Sequence, residues 1–97
     1  MLIKAGVDIS RLNREIRRSL SRVEAVYNEH IEEFVITSTF EGNHGAGSLH
    51  YSNDAYDVRL PFNEIQEVFN VIKETLGNPY DVVFERDHIH IEYDPKK

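Results

Sequence analysis

The segments Tyr80-Asp81-Val82-Val83-Phe84 and His88-Ile89-His90-Ile91-Glu92-Tyr93 read as two strands, rich in β-branched and aromatic residues. The second alternates His and Ile, which puts His88 and His90 on one face of a strand. Asn78-Pro79 before them turns the chain, and Gly77 stands where a helix C-terminus wants a left-handed residue. Upstream, Ile65, Val68, Phe69, Ile72 and Leu76 recur at helical steps, with Asn63 and Gln66 at the spacing of a capping box. Pro61 closes an alternating strand over Ala55 to Leu60 by removing a backbone donor. Before that strand, a stretch with Gly42, Gly45 and Gly47 cannot hold regular structure, and Phe34 to Thr39 is strand-like. From Asp8 to about His30, Ile9, Leu12, Ile16, Leu20 and Val23 predict a long amphipathic helix that Asp8 or Ser10 can cap.

The order helix, strand, loop, strand, helix, strand, strand predicts an α+β domain with helices packed on one face of a small, mostly antiparallel sheet. At 97 residues the chain is long enough for one domain and too short for two cores. The reading is a single domain over 1–97, with an N-terminal helical segment over 1–33 and a core over 34–93. Residues 94–97 read as a frayed tail.

Composition narrows the function. A formal charge of −6 argues against nucleic acid as the partner, because phosphate backbones select basic faces. No segment approaches the roughly 20 apolar residues of a membrane span, so membrane insertion is not expected. The first ten residues lack the apolar stretch and cleavage site of a secretory signal, which predicts synthesis in the cytoplasm. Positive charge gathers in Arg11, Arg14, Arg17, Arg18 and Arg22. That run reads as a solvated helix face, or else as a contact for anionic cell wall or a partner protein. The chain has no cysteine, which leaves His and carboxylate as ligands for a transition metal.

Four of the five His fall within residues 43–59 and 85–92, on either side of the second predicted helix. His50 and Asp57, seven positions apart, suit a loop running into a strand that brings two ligands onto one metal. Two His and one carboxylate would leave a tetrahedral position for water, the arrangement of a catalytic zinc. The other reading has these His at the surface, hydrogen-bonded to nearby acidic residues.

The run Ser48-Leu49-His50-Tyr51-Ser52-Asn53-Asp54-Ala55-Tyr56-Asp57 resembles the signature Ser-x-His-x-x-Gly-x-Ala-x-Asp of the M15 zinc peptidases, the D-Ala-D-Ala carboxypeptidases and phage L-alanyl-D-glutamate endopeptidases. Four of its five fixed positions match. Glu41 to His44 and Ser48 to Tyr51 are also similar to the zinc site of the hedgehog signalling domain, which shares that fold. His88-Ile89-His90 resembles the late His-x-His of these families, and Asp87-x-x-His90 their Glu-x-x-His with Asp for Glu. The resemblance covers residues 35–59 and 82–93. It implies a hedgehog-like peptidase fold and Zn2+ held by His50, Asp57 and His90. It also implies hydrolysis of a peptide bond in peptidoglycan stem peptides, of carboxypeptidase or endopeptidase type. The origin it implies is phage or prophage, with action on the cell wall after release. A non-catalytic zinc-binding or phage structural module of the same fold is the competing expectation.

The signature Gly is Asn53 here, a tolerable change because Asn is the non-Gly residue most often found at positive φ. Asp87, three residues before His90, is the expected general base, with Glu85 as its rival. His88 is placed to donate to a developing oxyanion, and His44 holds the position of a cleft His in the hedgehog-like pattern. Ser48 is expected to fix the loop on the substrate side and not to act as a nucleophile. Arg59 suits a substrate carboxylate or an ion pair on the sheet surface. His30 reads as a helix-terminus residue. A monomer is expected.

Overall fold

The computed structural model describes residues 1–39 and 53–95. His44, Ser48 and His50 therefore lie outside the described residues. The domain is α+β: β1 (Leu2–Ile3), α1 (Arg14–Glu29), β2 (Val35–Ser38), β3 (Ala55–Arg59), α2 (Ile65–Leu76), β4 (Tyr80–Phe84) and β5 (His88–Tyr93). Among the described residues, five strands form one mixed sheet in the order β1-β2-β3-β5-β4. β1 runs parallel to β2, and the other pairings are antiparallel.

Period-two alternation sorts the central strands. Tyr56 and Val58 of β3, Ile89 and Ile91 of β5, and Val82 of β4 join one core with Ile16, Leu20, Val23 and Tyr27 of α1 and Val68, Ile72 and Leu76 of α2. Both helices therefore cover the same face of the sheet. Each fully buried aliphatic side chain there contributes about 1.5–3 kcal/mol relative to exposure. The polar atoms within this core are paired: Tyr56 Oη lies 2.7 Å from Ser19 Oγ, which donates to the Ile16 carbonyl at 2.6 Å.

The N-terminal third departs from the sequence reading. Residues 1–33 are not helical throughout, because Leu2 and Ile3 pair with Val35 and Ile36 as an edge strand. The helix starts at Arg14, not at Asp8. Asp8 Oδ1 instead accepts the Ser10 N–H at 2.8 Å, which closes a local turn. Asn13 occupies the N-cap position without capping through its side chain. It holds the segment leading into β3: its backbone N–H donates to the Asn53 carbonyl, and its Nδ2 to Asp54 Oδ1 at 2.7 Å. The arginine run is only partly a solvated face. Arg17 donates to the carbonyls of Ser10 and Leu12, and Arg22 to that of Thr75 near the end of α2.

The expected capping box of α2 does not form either. Glu64 is the N-cap, in a left-handed conformation with no side-chain cap bond. The backbone N–H groups of Phe62 and Asn63 both donate to the buried Glu32 carboxylate, at 2.8 and 2.9 Å. A side chain 31 positions upstream thus takes the Asn63 N–H that the Gln66 side chain was expected to accept. Gly77 does end α2 at positive φ, as its position predicts.

Candidate functional site

β3 and β5 are neighbours near the middle of the sheet, and their register sets Asp57 opposite His90, Arg59 opposite His88 and Ala55 opposite Glu92. Residues directly across from one another share a face. Since Tyr56, Val58, Ile89 and Ile91 point to the helices, Asp57, His88, His90 and Glu92 occupy the other face. The β2–β3 register shifts between Ile36 and Ser38, so that Ser38 comes opposite Asp57. A bulge at this position re-aims side chains beside the central carboxylate.

The polar groups form a chain of alternating carboxylate and imidazole. His90 Nδ1 is 2.9 Å from Asp57 Oδ1, and His90 Nε2 is 2.6 Å from Glu92 Oε1. The second Asp57 oxygen, Oδ2, is 3.6 Å from His88 Nε2. At the outer end His88 Nδ1 is 2.7 Å from Asp87 Oδ1. Asp57 is buried, whereas Asp87 is 84% exposed in the turn between β4 and β5.

An ionised carboxylate only accepts, so His90 bonds to both neighbours as a doubly protonated ring. Burial opposes that charge. The hydrogen bonds and charges of Asp57 and Glu92 outweigh it, and the His90 pKa is raised above its ordinary value. The His88 hydrogen bond holds the Asp87 carboxyl below the usual carboxylate range.

Asp57 and His90 suit a zinc ion by donor chemistry and by spacing. Ligands around tetrahedral zinc, with bonds of about 2.0–2.2 Å, stand roughly 3.3 Å apart. The 2.9 Å separation of Asp57 Oδ1 and His90 Nδ1 needs only slight opening to reach that value. Asp57, His88 and His90 do not close a three-donor group by themselves. Among the described residues such a group is formed by Asp81, Glu92 and Asp94, with one carboxylate oxygen each within 4.8 Å of the others. This triad could hold a metal ion, and its all-oxygen donors suit a hard cation better than zinc.

The remaining candidates separate from this cluster. Glu85 is exposed at the turn, where its backbone N–H donates to the His88 carbonyl. Arg59 Nη1 lies 3.2 Å from Glu33 Oε1, so the ion-pair arrangement is the one present. His30 caps α1, with Nδ1 at the Val26 carbonyl and Nε2 3.1 Å from Glu67. Asn53 takes φ 63, a left-handed conformation that Asn tolerates better than other non-Gly residues. Sequence reasoning passed over Glu92, although the alternation that pairs His88 with His90 carries on to it.

Comparison with protein-family models finds no match to the chain. Neither curated proteins nor solved structures give a match.

Among the described residues no helix is long and apolar enough to cross a membrane.

Proposed function

We propose that the chain is a zinc-dependent peptidase of the M15 type, with a hedgehog-like peptidase fold, that hydrolyses a peptide bond in peptidoglycan stem peptides. The observation that carries this reading is the meeting of Asp57 and His90. They come from two separate motif segments and lie 2.9 Å apart on the sheet face turned away from the helices.

In this reading His50, Asp57 and His90 hold the ion. Zinc so held supplies Lewis acidity to a water and to the scissile carbonyl. The protein's own groups then orient and move protons. Asp87, ionised at neutral pH, accepts a proton as general base and returns it to the leaving amine. His88, held by Asp87 at Nδ1 and facing Asp57 through Nε2, would donate to the developing oxyanion as a doubly protonated ring.

A second reading, a zinc-binding interaction module without turnover, draws support from one feature. The Asp87 carboxylate is already engaged by His88 and largely exposed. Metal analysis of the purified protein, together with digestion of peptidoglycan fragments read by mass spectrometry, tests both. Zinc with cleavage supports the peptidase, and the fragment masses separate carboxypeptidase from endopeptidase action. Zinc without cleavage leaves the interaction module. Absence of zinc removes both readings.

A further inference from the structure

We propose that Glu92 is the positioning residue of the His90 ring: by holding the proton on Nε2, it keeps Nδ1, the nitrogen facing Asp57, unprotonated and able to ligate a metal. The inference rests on the zinc reading above and adds to it a residue that is none of the fixed positions of the resembling motifs.

The argument begins with the two acceptors at the ring. A neutral imidazole carries one proton, and the nitrogen that keeps it cannot bind a metal. Asp57 by itself would draw that proton to Nδ1, which is the tautomer that blocks a metal between Asp57 and His90. Glu92 opposes this from the other side. It lies two residues along β5 on the same face, and its Oε1 stands 2.6 Å from Nε2 against 2.9 Å for Asp57 Oδ1 at Nδ1. Both His90 and Glu92 are largely shielded from solvent, with side chains 16% and 20% exposed, so the contact is not one that water readily replaces. The Asp81 and Asp94 carboxylates near Glu92 add negative charge on the Nε2 side. A carboxylate on the remote nitrogen of a ligating imidazole fixes its tautomer and raises its basicity, and losing one typically costs about 10–100-fold in metal affinity.

The test uses the full chain as wild type, Glu92→Ala and Glu92→Gln. Zinc affinity is measured by competition with a chelating dye, and the His90 tautomer by nitrogen-15 spectra of the imidazole. Glu92→Ala is expected to weaken zinc binding by about 10–100-fold and to move the proton of the neutral metal-free ring from Nε2 to Nδ1. Glu92→Gln, whose amide oxygen still accepts, is expected to fall between alanine and wild type. Zinc affinity in Glu92→Ala within about twofold of wild type, far short of the usual loss, with the proton still on Nε2, overturns the proposal. So does a proton on Nδ1 in neutral metal-free wild type, a result that needs no variant to fold. If wild type takes up no zinc, the zinc reading fails, and the tautomer comparison between wild type and the variants still decides the role of Glu92.

Discussion

Asp57 and His90, 33 positions apart in sequence, face each other across β3 and β5 with Oδ1 and Nδ1 separated by 2.9 Å. Their side chains leave the sheet on the side opposite the helices. A carboxylate and an imidazole held this close share a proton or a cation, and the tests of the site follow from that choice.

If the cation is zinc, wild-type protein holds about one ion per chain, and both Asp57→Ala and His90→Ala lose it. His88→Ala keeps it, because His88 Nε2 is 3.6 Å from the other Asp57 oxygen and its Nδ1 is engaged by Asp87. Elemental analysis after dialysis checks the set. Retention of zinc in His90→Ala with loss in His88→Ala would reverse the assignment. Chelation should also lower the Tm of wild type, since metal binding is linked to folding.

The raised pKa of His90 makes metal-free stability depend on pH in a defined direction. The folded state binds the proton more tightly than the unfolded chain. The stabilisation is therefore fully present below the ordinary value of 6.5 and is lost as pH rises through the raised folded value. His30, raised through the Val26 carbonyl and Glu67, acts in the same sense. Urea unfolding of the metal-free protein from pH 5 to 9 should show stability falling above about 6.5, with a shallower fall in His90→Gln. A flat profile in wild type would refute this. Zinc affinity should move in the opposite direction and rise with pH, because the metal displaces the Nδ1 proton.

Catalysis should distinguish the two turn carboxylates. Asp87→Asn is expected to lower the cleavage rate at least about a hundredfold, the scale of general-base loss, with zinc content unchanged. Glu85→Gln should keep most of the activity. Equal, full activity in both variants would place the base elsewhere and make His88 the next candidate.

Asn53 tests the resemblance at the one fixed position of the Ser-x-His-x-x-Gly-x-Ala-x-Asp signature that does not match. At φ 63 a glycine fits without strain, so Asn53→Gly should be tolerated. A β-branched residue there should cost about 1–2 kcal/mol, read as a shift in the denaturation midpoint. Equal stability of the Val and Gly variants would show that the left-handed conformation is not required.

Glu32 carries a purely structural prediction. Its buried carboxylate accepts the N–H groups of Phe62 and Asn63, and removing it leaves two donors without that acceptor. Glu32→Ala should destabilise the domain by about 1–3 kcal/mol by chemical denaturation. A loss within a few tenths of a kcal/mol, the error of such contact arguments, would mean that water replaces the carboxylate fully.

The sequence alone determined the elements whose signals are local. The His-Ile alternation of 88–91 placed β5 and the shared face of His88 and His90. The helical recurrence from Ile65 to Leu76, stopped by Gly77, placed α2 within a residue or so. Pro61 closed the strand read over Ala55 to Leu60 within one residue of where β3 ends, at Arg59. Tertiary structure decided what depends on partners distant in the chain. Leu2–Ile3 is a strand only because β2 offers a free edge after α1 returns, and two residues carry no periodicity from which to read it. Asn13 is drawn to Asn53 and Asp54, and α1 starts after it, while Glu32 takes the Asn63 N–H that a capping box would have paired with the Gln66 side chain. Glu92 acquired its place beside His90 for the same reason: side-chain alternation fixes which face a residue occupies, but only the folded strand pair fixes which nitrogen of the ring it meets.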